Sequence, residues 1–339
     1  MSDRGALAQA FLDRAGWGNA RRVFLAGDAS ARSYDRLHDQ HGETAVLMDA
    51  PPEKGEDVGA FARIDAHLLS LGLSAPRIIA ADAPNGFLLL EDLGDNLYAR
   101  IIPAMPSLEP ALYAAATDVL AQLQANAPAA DLPPYGAREM VDAVSPATDW
   151  YAFAITGARS DLAALQAPLA DLLAKVDTDP PVMILRDYHA ENLLWLPQRE
   201  GIARVGLLDF QMAMLSSPAV DLVSLLQDAR RDVSSAVEEA MIRRFVALTG
   251  RDEAAFRMAY AVVGAQRHLR ILGIFARLSL HFGKPGYVDL IPRVWRDLQR
   301  DLAHPALASL ARAVETLLPR PTAETLQRIR DQCGTIRTP

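Results

Sequence analysis

The chain has one cysteine, Cys333, and only three lysines, Lys54, Lys175 and Lys284, among its 34 basic residues. A single thiol excludes an intrachain disulfide and a cysteine-rich metal site, and it points to the reducing environment of the cytoplasm. No apolar stretch is long and charge-free enough to span a bilayer. The opening MSDRGALAQAFLDRAGWG sets Asp13 and Arg14 inside its apolar pattern, so it lacks the uninterrupted hydrophobic region of a signal peptide. A P-loop, G-x-x-x-x-G-K-[ST], is absent. There is no basic, aromatic-interleaved face, and the formal charge of -8 opposes a nucleic-acid-binding role. Internal repeats, low-complexity tracts and Gly/Ser-rich linkers are missing too.

What is present is enough for a substantial core. Of 339 residues, 50% are apolar and 22% charged, a balance that opposes wholesale disorder. An amphipathic helix is expected at 5–17, then strands at 22–26, 32–38 and 44–49 joined by polar turns. A helix at 56–70 precedes two more candidate strands in PRIIAADAPNGFLLLEDLG. Strong helical periodicity follows at 109–126 and 160–175, with the irregular PPYGAREMVDAVSPATDW between them. Further helices are expected at 236–248, 252–279, 289–301, 304–317 and 321–332. The fold class is therefore α+β: a small mixed antiparallel β lobe at 1–92 and a mostly helical lobe at 93–339, expected to close on a cleft.

Two strand-like runs carry the chemistry, VMILRDYHAENLLWL (182–196) and VGLLDFQMA (205–213). Each apolar run meets a short polar knot. A loop at a strand end can turn Asp187 and Asn192 inward, the carboxylate orienting a hydroxyl and the amide oxygen binding Mg²⁺. Asp209, at the end of the second run, can complete the metal site through a hairpin. The set suits phosphoryl transfer, in which phosphate charge must be neutralised while an acceptor is held in line. The turn AGDASARSYDRL (26–37) supplies Gly27, Asp28, Ala29 and Ser30 as a cover whose amides can face a phosphate.

These segments, with VLMDAPPEK, EDLGDNLY and QRHLRILGIFARL, resemble the aminoglycoside phosphotransferase and choline kinase family, a small-molecule branch of the protein-kinase-like fold. More narrowly they resemble bacterial anomeric kinases of N-acetylmuramate and N-acetylglucosamine. The resemblance spans residues 5–330. It implies ATP and Mg²⁺, with Asp187 facing the acceptor hydroxyl, His189 supporting that loop, and Asn192 and Asp209 as metal ligands. It implies the adenine hinge at Glu91 and Leu93. It also implies a small-molecule sugar acceptor, a uridylyltransferase downstream, and a monomer acting in the cytoplasm.

Three positions depart from the wider pattern. Met48 stands where a strand lysine is expected, leaving Arg32 or Arg36 to meet the phosphates with a guanidinium fork. Leu185 replaces a histidine two residues before Asp187, and Gln211 replaces the glycine of Asp-Phe-Gly. For the acceptor, candidates are Asp149, Trp150, Tyr151, Asp228, Arg230, Gln266 and Arg267, an arginine being the natural partner of a lactyl carboxylate. Asp221 is expected to brace the catalytic loop. An aminoglycoside or other alcohol as acceptor, and a nucleotide-binding pseudokinase, are the alternatives.

Overall fold

Alternating side chains in SYDRLH and TAVLMD form strands whose two faces have different tasks. A computed structural model describes residues 4–27, 31–176 and 179–337. Helix α1 (Arg4–Arg14) leads into β1 (Arg21–Gly27), β2 (Ser33–His38) and β3 (Thr44–Asp49), then α2 (Val58–Ser70), β4 (Ile78–Asp82) and β5 (Phe87–Glu91). Helices α3 (Tyr98–Ala104), α4 (Glu109–Gln124), α5 (Ala137–Asp142), α6 (Phe153–Thr156) and α7 (Leu162–Val176) follow. Next come four short strands: β6 (Val182–Ile184), β7 (Leu193–Trp195), β8 (Val205–Leu207) and β9 (Met214–Ser216). The chain ends in α8 (Val220–Leu226), α9 (Ser235–Thr249), α10 (Glu253–Leu280), α11 (Ile291–Leu302), α12 (Ala308–Leu317) and α13 (Ala323–Asp331). It divides into two compact units, Met1–Ala129 with Ala190–Ala213, and Ala130–His189 with Met214–Pro339. The α+β class expected from the sequence is what the structure shows.

In the first unit, a five-stranded antiparallel sheet has the order β1-β2-β3-β5-β4. One face presents Leu37, Ala45, Leu47, Phe87 and Leu89 to Ala8, Phe11 and Leu12 of α1. The rings of Phe11 and Phe87 stack at 5.9 Å, and truncating either to alanine should cost about 3–5 kcal/mol. Residues of opposite parity, among them Tyr34, Arg36, Val46 and Leu90, turn to a cavity on the other face. Helix α2 is capped by Asp57, which accepts from the Gly59 amide at 2.7 Å. The boundary expected at residue 92 falls just after β5, the last strand of the sheet in sequence. Strands β7 and β8 form an antiparallel hairpin in which Leu193 faces Leu207 and Trp195 faces Val205.

The second unit is built around α10, whose inner positions from Phe256 to Leu280 are buried almost without interruption. Its start is fixed by Asp252, which accepts from the Ala255 amide at 2.8 Å. At Gly273 any β-carbon would fall 2.0 Å from the carbonyl carbon of Pro146, so only glycine lets that backbone pack against the helix. The segment expected to be irregular holds α5 and a π-helical turn at Ala147–Ala152. Pro133, Pro134 and Pro146 punctuate it and hide its short helical pieces from periodicity. Pro103 hides α3 in the same way. Strand β9, also unexpected, pairs with β6 through Met183 and Leu215. Among the described residues, no helix is long and apolar enough to cross a membrane.

Candidate active site

The β7–β8 hairpin sets the first pair of site residues. Asn192 immediately precedes β7, and its carbonyl accepts from the Leu208 amide at 3.0 Å, so Asp209 emerges on the facing strand end. Asp209 has φ 55°, a left-handed conformation that costs a non-glycine residue energy and is held by its surroundings. Phe210 behind it is fully buried and packs on Phe61 of α2, with ring centroids 4.8 Å apart. Gln211, in the place of the expected glycine, donates from Nε2 to Asp209 Oδ1 at 2.7 Å. The departure thus has a local task.

A cavity of about 380 Å³ lies within this unit. Its apolar wall includes Val46, Leu90, Leu194 and Leu208, and Gly27, Asn192 and Asp209 also border it. Met48, on the same strand face as Val46, is 1% exposed and offers no cation. Glu91 and Leu93 line the cavity where the hinge was expected. The Glu91 carboxylate is taken by Arg199 at 2.7 Å and Arg77 at 3.2 Å. Burial alone would raise its pKa; the Arg77 amide and both guanidinium groups outweigh that and hold it below the ordinary value. Asp28, Ala29 and Ser30, the expected phosphate cover, lie outside the described residues.

The two candidate arginines have different partners. Arg36 binds Asp95 at 2.7 Å, Asp92 at 2.8 Å and the Gly94 carbonyl at 3.3 Å, so its fork ties β2 to the loop after β5. Arg32 is 9% exposed, and it reaches Glu56 through Nε at 3.4 Å and Asp209 Oδ1 through Nη2 at 3.2 Å. Only Arg32 touches an expected metal ligand. Among the described residues, Arg32 and Gln211 both use Oδ1 of Asp209, leaving Oδ2 for a cation. No cluster of three or more His, Cys, Asp or Glu side chains occurs there. One carboxylate and one amide oxygen fit Mg²⁺, which keeps waters and takes the rest of its shell from substrate phosphates.

In the second unit, β6 is followed by Leu185, which is 3% exposed and fills the core where a histidine was expected. Arg186 has φ 72°, and the strained turn is pinned by Asp221 of α8. The Asp221 carboxylate is wholly buried and accepts from the amides of Leu185 at 2.5 Å and Arg186 at 2.9 Å. Burial lifts its pKa to about 7 against the pull of those two bonds. Asp187 follows the turn with its side chain exposed. His189 is buried; burial, then Arg230 and Arg267, lower its pKa to about 3, so the imidazole is neutral.

The segment after α8 brings several acceptor candidates together. Asp228, 1% exposed, accepts from the Arg230 amide at 2.9 Å, and burial raises its pKa. Arg230 Nη1 lies 3.4 Å from His189 Nε2. Arg267 donates to the Gln227 carbonyl and to Ser224 Oγ, each at 3.1 Å. Burial lowers its pKa to about 10, so it remains a cation at neutral pH.

Other candidates have other partners. The Tyr151 hydroxyl donates to the Pro319 carbonyl at 2.6 Å and its ring is fully buried, which commits it to the core. Trp150 is half-buried and meets His281 edge-on at 6.0 Å. Asp149 is also half-buried, and Gln266 is spent on Met140 and Tyr135. Sequence reasoning missed Glu56, Asp92, Asp95 and Ser224. Of these, only the acids of EDLGD carried a signal, their spacing beside a strand end.

Residues 22–257 match the phosphotransferase enzyme family. The chain is 41% identical to the N-acetylmuramate/N-acetylglucosamine kinase of Caulobacter vibrioides, an alignment covering 91% of this chain and 95% of that one. It is 32% identical to the enzyme of the same name from Pseudomonas aeruginosa, over 89% and 91% of the two chains. In fold it is similar to a choline/ethanolamine kinase family protein from Mesorhizobium loti, with TM-score 0.61, 15% identity, and coverage of 93% of this chain and 100% of that one.

Proposed function

Because this chain belongs to the phosphotransferase enzyme family, we propose that it transfers the γ-phosphoryl group of ATP to the anomeric hydroxyl of N-acetylmuramate and N-acetylglucosamine. The observation that carries the reading is the Asp187 loop: an exposed carboxylate on a strained backbone turn that a buried carboxylate, Asp221, holds in one shape. Such preorganisation is useful only if the position of Asp187 matters.

Residues 1–92 serve as the nucleotide-binding lobe and residues 93–339 as the catalytic and acceptor-binding lobe. The purine lies against Val46 and Leu90, hydrogen-bonded to the backbone at Glu91 and Leu93. Asn192 and Asp209 would hold Mg²⁺, which when bound would offset the charge of the phosphates. Arg32, held by Glu56, takes the place of the missing strand lysine, and Arg36 braces the hinge. Gly27 to Ser30 cover the phosphates.

Asp187 accepts the proton of the sugar C1 hydroxyl as its oxygen bonds to the γ-phosphorus. The bond from that phosphorus to the bridging oxygen breaks, leaving ADP and a sugar 1-phosphate. Trp150, Asp228, Arg230 and Arg267 form the acceptor set. The protein acts as a cytoplasmic monomer, and its product passes to a uridylyltransferase. The arginines near the Asp187 loop disfavour an aminoglycoside acceptor, because a polycation would be repelled.

Phosphorus NMR of the protein with Mg²⁺-ATP and, separately, N-acetylmuramate, N-acetylglucosamine and kanamycin tests the proposal. A new anomeric sugar-phosphate resonance with matching ADP is the expected result. Phosphate appearing on kanamycin alone would move the assignment to drug modification. Nucleotide binding with no transfer to any of the three would make the pseudokinase reading the better one.

A further inference from the structure

Resting on that functional reading, we propose that Arg230 is the residue that selects acceptors bearing a carboxylate, with Arg267 and Arg270 supplying a fixed positive background. Among the described residues, none of these three arginines forms an ion pair with a carboxylate. Other arginines of the same unit are ion-paired: Arg257 with Glu239 and Glu253, and Arg293 and Arg296 with Asp232. Arg230 and Arg267 both act on His189 of the Asp187 loop, and although buried Asp228 attracts each of them, the exposed fork of Arg230 is placed to meet an external anion beside that loop.

The three have unequal freedom. Arg267 is clamped by the Gln227 carbonyl and Ser224 Oγ, so it contributes charge from a fixed position. Arg270 lies three residues further along α10 and is half-buried. Arg230 differs: its backbone is tied to buried Asp228, while its exposed guanidinium makes only the long 3.4 Å contact to neutral His189. It can turn its fork to a carboxylate without breaking an internal ion pair. Of the two proposed acceptors, only N-acetylmuramate carries a carboxylate, on its lactyl ether. The assignment therefore predicts a difference between two substrates of one enzyme.

The test compares wild type, Arg230→Ala and Arg230→Lys on both sugars by coupled ADP release, with calorimetric titration of each sugar into the same proteins. The Arg230→Ala change should lower kcat/KM for N-acetylmuramate at least about tenfold more than for N-acetylglucosamine, through KM, as expected for loss of a charge-assisted hydrogen bond. Arg230→Lys should recover part of the difference. Equal losses on both sugars would overturn the proposal and make Arg230 a positioning residue for the Asp187 loop. If wild type phosphorylated neither sugar, the functional reading would fail on its own. Calorimetry would then still judge the arginine, since N-acetylmuramate binding that is indifferent to Arg230→Ala would overturn the selectivity assignment as well.

Discussion

Arg36 is clasped by Asp92 and Asp95, and Arg32 by Glu56 and Asp209, whereas among the described residues Arg230, Arg267 and Arg270 form no direct ion pair, buried Asp228 attracting the first two without touching their guanidinium groups. Arg32 and Arg36 of the sheet unit are balanced internally, while Arg230 of the helical unit keeps an exposed guanidinium outside any ion pair, unlike its neighbours Arg257, Arg293 and Arg296. For Arg36 the consequence is measurable: Asp95 first, then Asp92, raise its pKa despite burial. For Arg267 burial dominates in the opposite direction. A cation that braces the fold is paired in advance; a cation that reads a ligand must keep its donors available.

The largest effect should come from the Asp187 loop. Asp187→Ala should lower kcat by about 10³-fold, in the range of a lost general base, while ATP binding measured by calorimetry stays within a few-fold of wild type. Retained turnover would remove Asp187 from the mechanism and with it the reason for a positive cluster beside the loop.

The comparison of paired arginines is sharpened by Arg32→Ala set against Arg36→Ala. Losing Arg32 should reduce kcat by about 10–100-fold, because it leaves both Glu56 and Asp209 without their guanidinium and removes a charge from the developing phosphoryl group. Losing Arg36 should act mainly on the KM for ATP, by only a few-fold, through a looser hinge. Equal effects on kcat would mean that internal pairing does not separate a phosphate-reading arginine from a bracing one.

A third test concerns stability. Asp221→Ala strips the Leu185 and Arg186 amides of their acceptor, and a buried unsatisfied donor costs about 1–3 kcal/mol. A loss of roughly 2–5 kcal/mol in urea unfolding is expected from the pair, with a further fall in kcat as the turn relaxes. Unchanged stability would show that the strained turn at Arg186 is set by something other than Asp221.

Most of this architecture was legible in the sequence because its signals are local. The period-two runs of β1 to β3 and β5, the helical periodicity of α2 and α10, and the polar knots after β6 and β8 each announce themselves within a few residues. The hairpin that seats Asn192 opposite Leu208 follows from two adjacent apolar runs. What stayed hidden depends on distant pairing. Nothing near Arg32 says that its partners are Glu56 and Asp209, or that Arg36 reaches Asp92 and Asp95; both facts need the strand register. Tyr151 reads as an acceptor platform beside Trp150, yet its hydroxyl is spent on Pro319, which is 168 positions away. Pro103 and Pro146 concealed short helical turns because proline is the usual mark of a helix end.

The smallest effect is electrostatic and belongs to His189. Its pKa falls from the ordinary 6.5 to about 3, through burial first and then Arg230 and Arg267. Between those values the unfolded chain binds a proton that the folded chain refuses, so folding stability is complete above about pH 6.5 and declines as the pH drops toward 3. One such group contributes a slope of at most about 1.4 kcal/mol per pH unit. Urea midpoints measured from pH 7 to pH 4.5 should therefore fall more gently in His189→Gln than in wild type. Arg230→Ala should also soften the fall, because it removes one of the two cations that suppress the charge on the imidazole. If it left the slope untouched while His189→Gln flattened it, burial alone would account for the neutral histidine. Arg230 would then sit too far from the ring to share its field, and the positive cluster beside the Asp187 loop would lose the member on which selectivity rests.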